Sequence, residues 1–239
     1  SRSRIENFVR CKACFYMEQV EGIKFPSIPG FNINEATDIL LKRDFDKYRE
    51  IGEPHPFLVA KGRDFLIPFS HEHFELWTQS LHFGAKDRLN FVDPKTNLKV
   101  GGGLDDVWLN INTNCLHLVD YKSTSQKSDK GPITLDDPWK ASYKRQMDLY
   151  VWVLRKKGFH VDDVGYFLYC DGDRFSDYDF LSCTTASMNF KITLIDYKTN
   201  DTWIEPTLQD ISECLNESKR PQHSDYCEYG KFLTQSLNQ

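Results

Sequence analysis

The segment from Lys99 to Lys122, KVGGGLDDVWLNINTNCLHLVDYK, leaves the chain little freedom in how it folds. Two runs, 104–111 and 115–122, are rich in Val, Ile, Leu and Trp and flank Asn112-Thr113-Asn114, the composition of a β-hairpin. A two-residue turn at Asn112-Thr113 sets Asn114 opposite Ile111, and stepping outward sets Asp120 opposite Asp105. Side-chain alternation then gathers Asp105, Val107, Leu109 and Ile111 on one face with Leu116, Leu118, Asp120 and Lys122. That face is apolar along its length and charged at one end.

Two carboxylates about 5 Å apart repel, and when partly buried they need a cation between them or a proton on one of them. A divalent ion that takes hard oxygen ligands, Mg²⁺ or Mn²⁺, is the simpler answer. Lys122 lies two residues beyond Asp120 on the same face, where an ammonium can steady developing negative charge or orient a water. Asp-x-Lys by itself is common at strand ends, with both side chains in water. The chain carries its own comparison, because Leu194-Ile195-Asp196-Tyr197-Lys198 repeats the tripeptide without a Gly-x-Asp partner strand before it. We read that second copy as a structural strand end.

An acid on one strand and acid-x-Lys on its neighbour, here Gly103-Leu104-Asp105 and Asp120-Tyr121-Lys122, resembles the core motif of the PD-(D/E)XK nuclease superfamily. The run Tyr143-Lys144-Arg145-Gln146-Met147-Asp148-Leu149-Tyr150 is similar to the Gln-x-x-x-Tyr helix of its RecB-like branch. So is Ser3-Arg4-Ile5-Glu6-Asn7-Phe8-Val9-Arg10-Cys11, followed by Phe15-Tyr16, to that branch's opening pattern. The three motifs fall in the family's order between residues 3 and 150.

The resemblance implies one α/β domain over residues 1–239, with a mixed central β-sheet flanked by helices in a restriction-endonuclease-like core. It implies metal-dependent hydrolysis of DNA phosphodiester bonds, with Mg²⁺ or Mn²⁺ held by Asp105, Asp120 and the carbonyl of Tyr121. Lys122 and Gln146 would place the attacking water and stabilise the transition state, while Lys144, Arg145 and Tyr150 would face the substrate. DNA is the implied partner, together with a helicase or recombination enzyme. A catalytically silent DNA-binding or scaffolding module of the same fold is the competing reading, and a ribonuclease is a third. The branch often adds a metal ligand from Gly-x-x-x-His on an early helix. The matching stretch here is Asp38-Ile39-Leu40-Leu41-Lys42, so Lys42 stands in place of His, with Asp46 one turn on as a substitute carboxylate or a solvated surface group.

Composition agrees with a folded domain: 239 residues, 40% hydrophobic and 27% charged, suffice for one sizeable core. No run approaches the roughly 18 apolar residues that a membrane span needs, so no membrane partner is expected. Seven cysteines, an odd number spread widely, point to a reducing compartment, and we expect a cytoplasmic protein. The net charge of −5 hides an asymmetry, because residues 122–157 hold nine Lys or Arg against four Asp. Phosphate backbones are held by local basic groups, so this stretch beside the acidic pair suits a DNA groove.

Cys11-x-x-Cys14 sits where the RecB-like branch places the first ligand of an iron–sulfur cluster, but the C-terminal end departs from that pattern: in Cys227-Glu228-Tyr229-Gly230 a Gly occupies the second Cys position. A cluster usually takes four thiolates, so none is expected. Cys11, Cys14, Cys214 and Cys227 could together hold zinc or a cluster, with free thiols the favoured reading. His71 and His73 are two apart, on different faces of a helix read over 71–83, and are assigned with His82 to the surface.

The remaining elements follow from periodicity and punctuation. Ser3 with Glu6 has capping-box spacing for a first helix. Pro26, Pro29 and Gly30 make an irregular connection, and Asn32 or Asn34 caps a helix over about 35–50. Its stripe of Ile39, Leu40, Leu41, Phe45 and Tyr48 should cover the apolar face of the hairpin. A polar loop follows Lys122, then a helix from Asp136 or Asp137 to Lys157 closed by Gly158. Strands are expected over 164–170, 178–183 and 188–196, and a helix over 206–218.

Overall fold

A computed structural model describes residues 1–25, 30, 32–81, 84, 86–127 and 131–237. The expectations for Pro26, Pro29, His82 and Lys130 lie outside the described residues. The hairpin is built from β4 (Asp106–Asn110) and β5 (Cys115–Thr124), paired antiparallel with Asn110 opposite Cys115 and Asp106 opposite Val119. This is the register read from the sequence, although the turn takes four residues rather than two. The Asn110 carboxamide accepts from the backbone N–H groups of Asn112 and Thr113, and Asn114 takes φ 56°, a left-handed conformation that Asn tolerates.

The hairpin lies inside a five-stranded mixed sheet in the order β1 (Leu66–Pro68), β4, β5, β6 (Val164–Gly172), β7 (Phe190–Lys198). Only β5 and β6 run parallel, so the chain must cross over between them, and α6 (Ala141–Lys156) makes that crossover after a 3-10 turn at Pro138–Lys140. A two-stranded ribbon of β2 (Asn90–Val92) and β3 (Lys99–Gly101) precedes the hairpin. The fold is therefore α/β with a mixed sheet between helices, as expected. Among the described residues no helix is long and apolar enough to cross a membrane.

Two cores form on the two faces of the sheet. Val107, Leu116 and Leu118 share one with α6, α1 (Arg2–Arg10) and α7 (Ile204–Leu215), where Met147 packs so closely on Gly165 that a Cβ there would lie 2.6 Å from its sulfur. Trp108, Val119 and Tyr121 share the other with Phe45 of α3 (Asn32–Ile51). The α3 helix thus covers the sheet face opposite to the one expected, and Ile39 and Leu40 face solvent; the buried stripe runs through Thr37, Leu41 and Phe45.

Other departures have local causes. Ser1 rather than Ser3 stands at the N-cap position of the first helix, without a side-chain cap bond, and the Glu6 carboxylate is held by Arg145 at 2.7 and 2.8 Å. Of the expected 71–83 helix the described residues form only α5 (Phe74–Trp77), which ends where Gly103 crosses the Thr78 carbonyl. Residues 178–183 form no strand, since β7 already covers the exposed side of β6 and leaves them a single bridge, Leu181 to Ala186. An unanticipated helix, α8 (Glu228–Leu237), ends the described chain, preceded by the short α2 (Lys12–Gln19) and α4 (Pro56–Ala60) earlier in it.

Candidate functional site

The antiparallel pairing ends at Asp106 and Val119, and the next residues outward are Asp105, in the bend before β4, and Asp120, midway along β5, whose charge acts on Asp105. Asp105 Oδ2 accepts the backbone N–H of Tyr121 at 2.8 Å, which ties the first acid across to the second strand. Lys122 pairs with Asp120 Oδ2 and also donates to the Tyr121 carbonyl at 3.0 Å. From α6, Gln146 donates to Asp120 Oδ1 at 2.8 Å, and its own carbonyl oxygen accepts from Arg2 of α1. Tyr150, one turn further, is buried against Gly102, where a Cβ would overlap its hydroxyl. The triple glycine therefore serves close packing, with residues 101–103 pressed against Leu89, Tyr150 and Thr78 respectively.

The sequence reading missed one carboxylate. Asp38, near the start of α3, reaches the same end of the sheet beside Ser123, and its charge acts on Asp105. Lys42 and Asp46 point elsewhere: Lys42 pairs with Asp46 at 2.7 Å and Glu75 at 3.0 Å, and Asp46 also holds Arg49 at 3.0 Å. Asp46 is thus engaged elsewhere, and Asp38 is the α3 acid whose charge acts on Asp105. Its presence was visible as an Asp one helical turn before Lys42.

The charges of Asp120 and Asp38 both act on Asp105, and Lys122 opposes them. Burial and the neighbouring Asp120 push the Asp105 carboxyl up to about 8, against the pull of Lys122 and the Tyr121 N–H. Burial likewise raises Asp38 to about 6, with Asp120 adding to it and Lys122 opposing. Burial works against the Lys122 charge, yet Asp120 and Asp105 outweigh it and hold its pKa above the ordinary value. Lys122 is therefore held in its charged form. Among the described residues, Asp38 Oδ1 and Asp120 Oδ2 are buried without a hydrogen-bond donor, although the latter keeps its ion pair with Lys122.

The basic stretch is more heavily engaged than its composition suggests. Lys140 is buried against the Thr134 carbonyl and Asp137, Arg145 is forked on Glu6, and Arg155 and Lys156 bond Asp163, Asp201 and Glu205. Lys144 has no ionic partner among the described residues. A cleft of about 490 Å³, lined by Arg2, Glu6, Arg10, Arg145 and the half-exposed ring of Trp139, reaches the site through Arg2, which bonds Gln146.

Asp106, next to Asp105, points to the opposite face and is fully buried. It accepts from Arg49 at 2.5 Å, the Tyr121 hydroxyl at 2.7 Å and the Trp108 indole at 3.2 Å. The second Asp-x-Lys behaves as read, Asp196 bonding Arg63 at 2.6 Å on the outer strand. The cysteine set needs correction. Cys214 is buried on α7 in the main core, and it is His223 that joins Cys11, Cys14 and Cys227. Searches against protein-family models, curated proteins and solved structures find no match for this chain.

Proposed function

We propose that this protein is a divalent-metal-dependent deoxyribonuclease of the PD-(D/E)XK type, hydrolysing DNA phosphodiester bonds. The observation that carries the reading is the register that sets Asp105 against Asp120 with Lys122 and Gln146 converging on the second acid. A buried carboxylate oxygen without a donor on Asp38, whose charge acts on Asp105, fits a hard cation, and Mg²⁺ or Mn²⁺ is the proposed cofactor. Asp105, Asp120 and the Tyr121 carbonyl would hold it, with Asp38 adding negative charge nearby. A divalent ion in such a site neutralises phosphate charge and acidifies water. Lys122 stabilises the charge that develops on the phosphate, and Gln146 is held by Arg2 so as to fix Asp120. Tyr150 buttresses the glycine run behind the acids.

DNA is favoured as substrate by the arginine-lined cleft, whose Trp139 ring offers a base a stacking surface. A helicase or recombination partner and a cytoplasmic location, the latter on the strength of seven free cysteines, belong to the same proposal. One contact favours a catalytically silent DNA-binding module instead: the Lys122 ammonium rests on Asp120 and on the Tyr121 carbonyl, two of the groups the ion would use. Incubating labelled single- and double-stranded DNA with Mn²⁺ separates the two. Cleavage by the wild type that is lost in Asp120→Ala and Lys122→Ala supports the nuclease; tight binding without cleavage supports the silent module, and cleavage that survives both changes rejects the site.

The proton on Asp105 gives a second expectation. Because its folded value of about 8 exceeds the ordinary 3.8, folding takes up a proton between these values. The stabilisation is full below about pH 4 and is lost as pH rises through about 8. A cation must displace that proton, so Mn²⁺ should bind more tightly at pH 8 than at pH 6, by at most about tenfold per pH unit for one proton. Melting curves with Mn²⁺ or EDTA at the two pH values check this; a Mn²⁺-induced rise in Tm that is smaller at pH 8 contradicts it.

A further inference from the structure

Four side chains from the two ends of the described chain meet away from the acidic pair. Cys11 joins α1 to α2 in an extended conformation, φ −163° and ψ 109°, and Cys14 lies in the first turn of α2. His223 and Cys227 come from the segment that leads into α8. The His223 Nδ1 lies 3.4 Å from Cys11 Sγ, 3.6 Å from Cys14 Sγ and 3.7 Å from Cys227 Sγ, and the sulfurs of Cys14 and Cys227 are 3.4 Å apart. All four ligand atoms fall within 4.8 Å of one another. The three cysteines are buried.

These separations are those of a coordination shell. Four ligands placed tetrahedrally around zinc, with Zn–S near 2.3 Å and Zn–N near 2.0 Å, stand about 3.5–3.8 Å from each other. A disulfide would bring two sulfurs to about 2.05 Å, well inside the 3.4 Å between Cys14 and Cys227. Backbone donors point at two of the sulfurs. The backbone N–H of Gly230 points at Cys227 Sγ from 3.4 Å, and the N–H groups of Cys14 and Ser224 serve Cys11. Gly230 also makes room for the imidazole: a Cβ there would lie 2.6 Å from both Cβ and Cγ of His223. Ser224 fastens the two segments together by donating to the Arg10 carbonyl at 3.0 Å.

We propose that Cys11, Cys14, His223 and Cys227 bind one structural zinc ion. Three thiolates and one imidazole form a closed tetrahedral set typical of structural zinc, whereas iron–sulfur clusters take four cysteines, or two histidines in place of two of them on one iron. The ion would clamp residues 11–14 to residues 223–227 and so fix α1, whose Arg2 and Glu6 reach Gln146 and Arg145. The site stands independently of the nuclease reading.

Metal analysis of the purified full chain tests it directly. One zinc per chain is expected, with no iron or acid-labile sulfide, and exchange with Co²⁺ should give the intense visible bands of tetrahedral cobalt thiolate. Cys214→Ser should keep the full zinc content and His223→Cys should retain it, while His223→Ala and Cys227→Ser should lose most of it. The proposal is overturned by a metal-free wild type, by a Cys14–Cys227 disulfide in its mass spectrum, or by a brown protein that carries iron and sulfide. Full zinc content in His223→Ala also overturns it. Because the wild type alone decides the first three, a variant that fails to fold leaves the test standing.

Discussion

Replacing Asp106 with Ala should destabilise the protein by about 3–5 kcal/mol, the usual consequence of stripping one partner from a buried ion pair. Arg49, whose side chain is only 9% exposed, would keep its charge with Asp46 as its remaining anion. The Tyr121 hydroxyl and the Trp108 indole would lose their acceptor in the same step, and each buried donor left unpaired costs roughly 1–3 kcal/mol. For a chain of this length that is a fall in Tm of roughly 10 °C. Asp105→Asn should behave in the opposite sense. It removes a carboxyl that must take up a proton to be buried beside Asp120 and keeps an oxygen for the Tyr121 N–H, so metal-free stability should hold or rise at neutral pH. Melting curves of the two variants side by side check the contrast between neighbours on opposite faces of one strand.

Asp120→Asn should lower cleavage by about a thousandfold or more while leaving the fold and DNA binding in place. The amide is isosteric and can still accept from Gln146, and Asp105 remains to hold the Lys122 charge. What is lost is the second anion of the facing pair, and with it the charge that would hold a cation against the scissile phosphate. Loss of one preorganised electrostatic group commonly costs a factor of about 10² to 10³, and a metal ligand should cost at least that much. Single-turnover cleavage with Mn²⁺ measures the effect; a variant within tenfold of wild type would move the chemistry away from this pair.

The hairpin and its register were legible because two signals agreed: apolar alternation on both runs, and an Asn-rich turn that admits few registers. The longer turn did not disturb the result, since it grew symmetrically about the same pairing. Asp105 and Asp106 are adjacent in sequence, and only the register separates the acid of the site from the acid of the core. The Asp106 network escaped notice because Arg49 and Tyr121 come from distant segments, and no local pattern announces them. Asp38 was hidden by attention to the position four residues later.

His223 shows a different limit. It lies more than 200 residues from Cys11, so proximity could not be foreseen, yet His223-x-x-x-Cys227 with Cys11-x-x-Cys14 has spacing that suits zinc. Counting cysteines alone led to Cys214, which the main core had already claimed. The face covered by α3 was misjudged for a related reason. Its apolar residues nearly encircle the helix, and packing against Trp108 and Tyr121 rather than periodicity chose which of them to bury.

Crystals soaked in Mn²⁺ test most directly, through anomalous scattering, whether the facing acids form a cation site. An ion within bonding distance of both Asp105 and Asp120, absent from crystals of Asp120→Asn, is the predicted result. Mn²⁺ saturating the crystal with no peak between these carboxylates, and Lys122 still seated on Asp120, would contradict it.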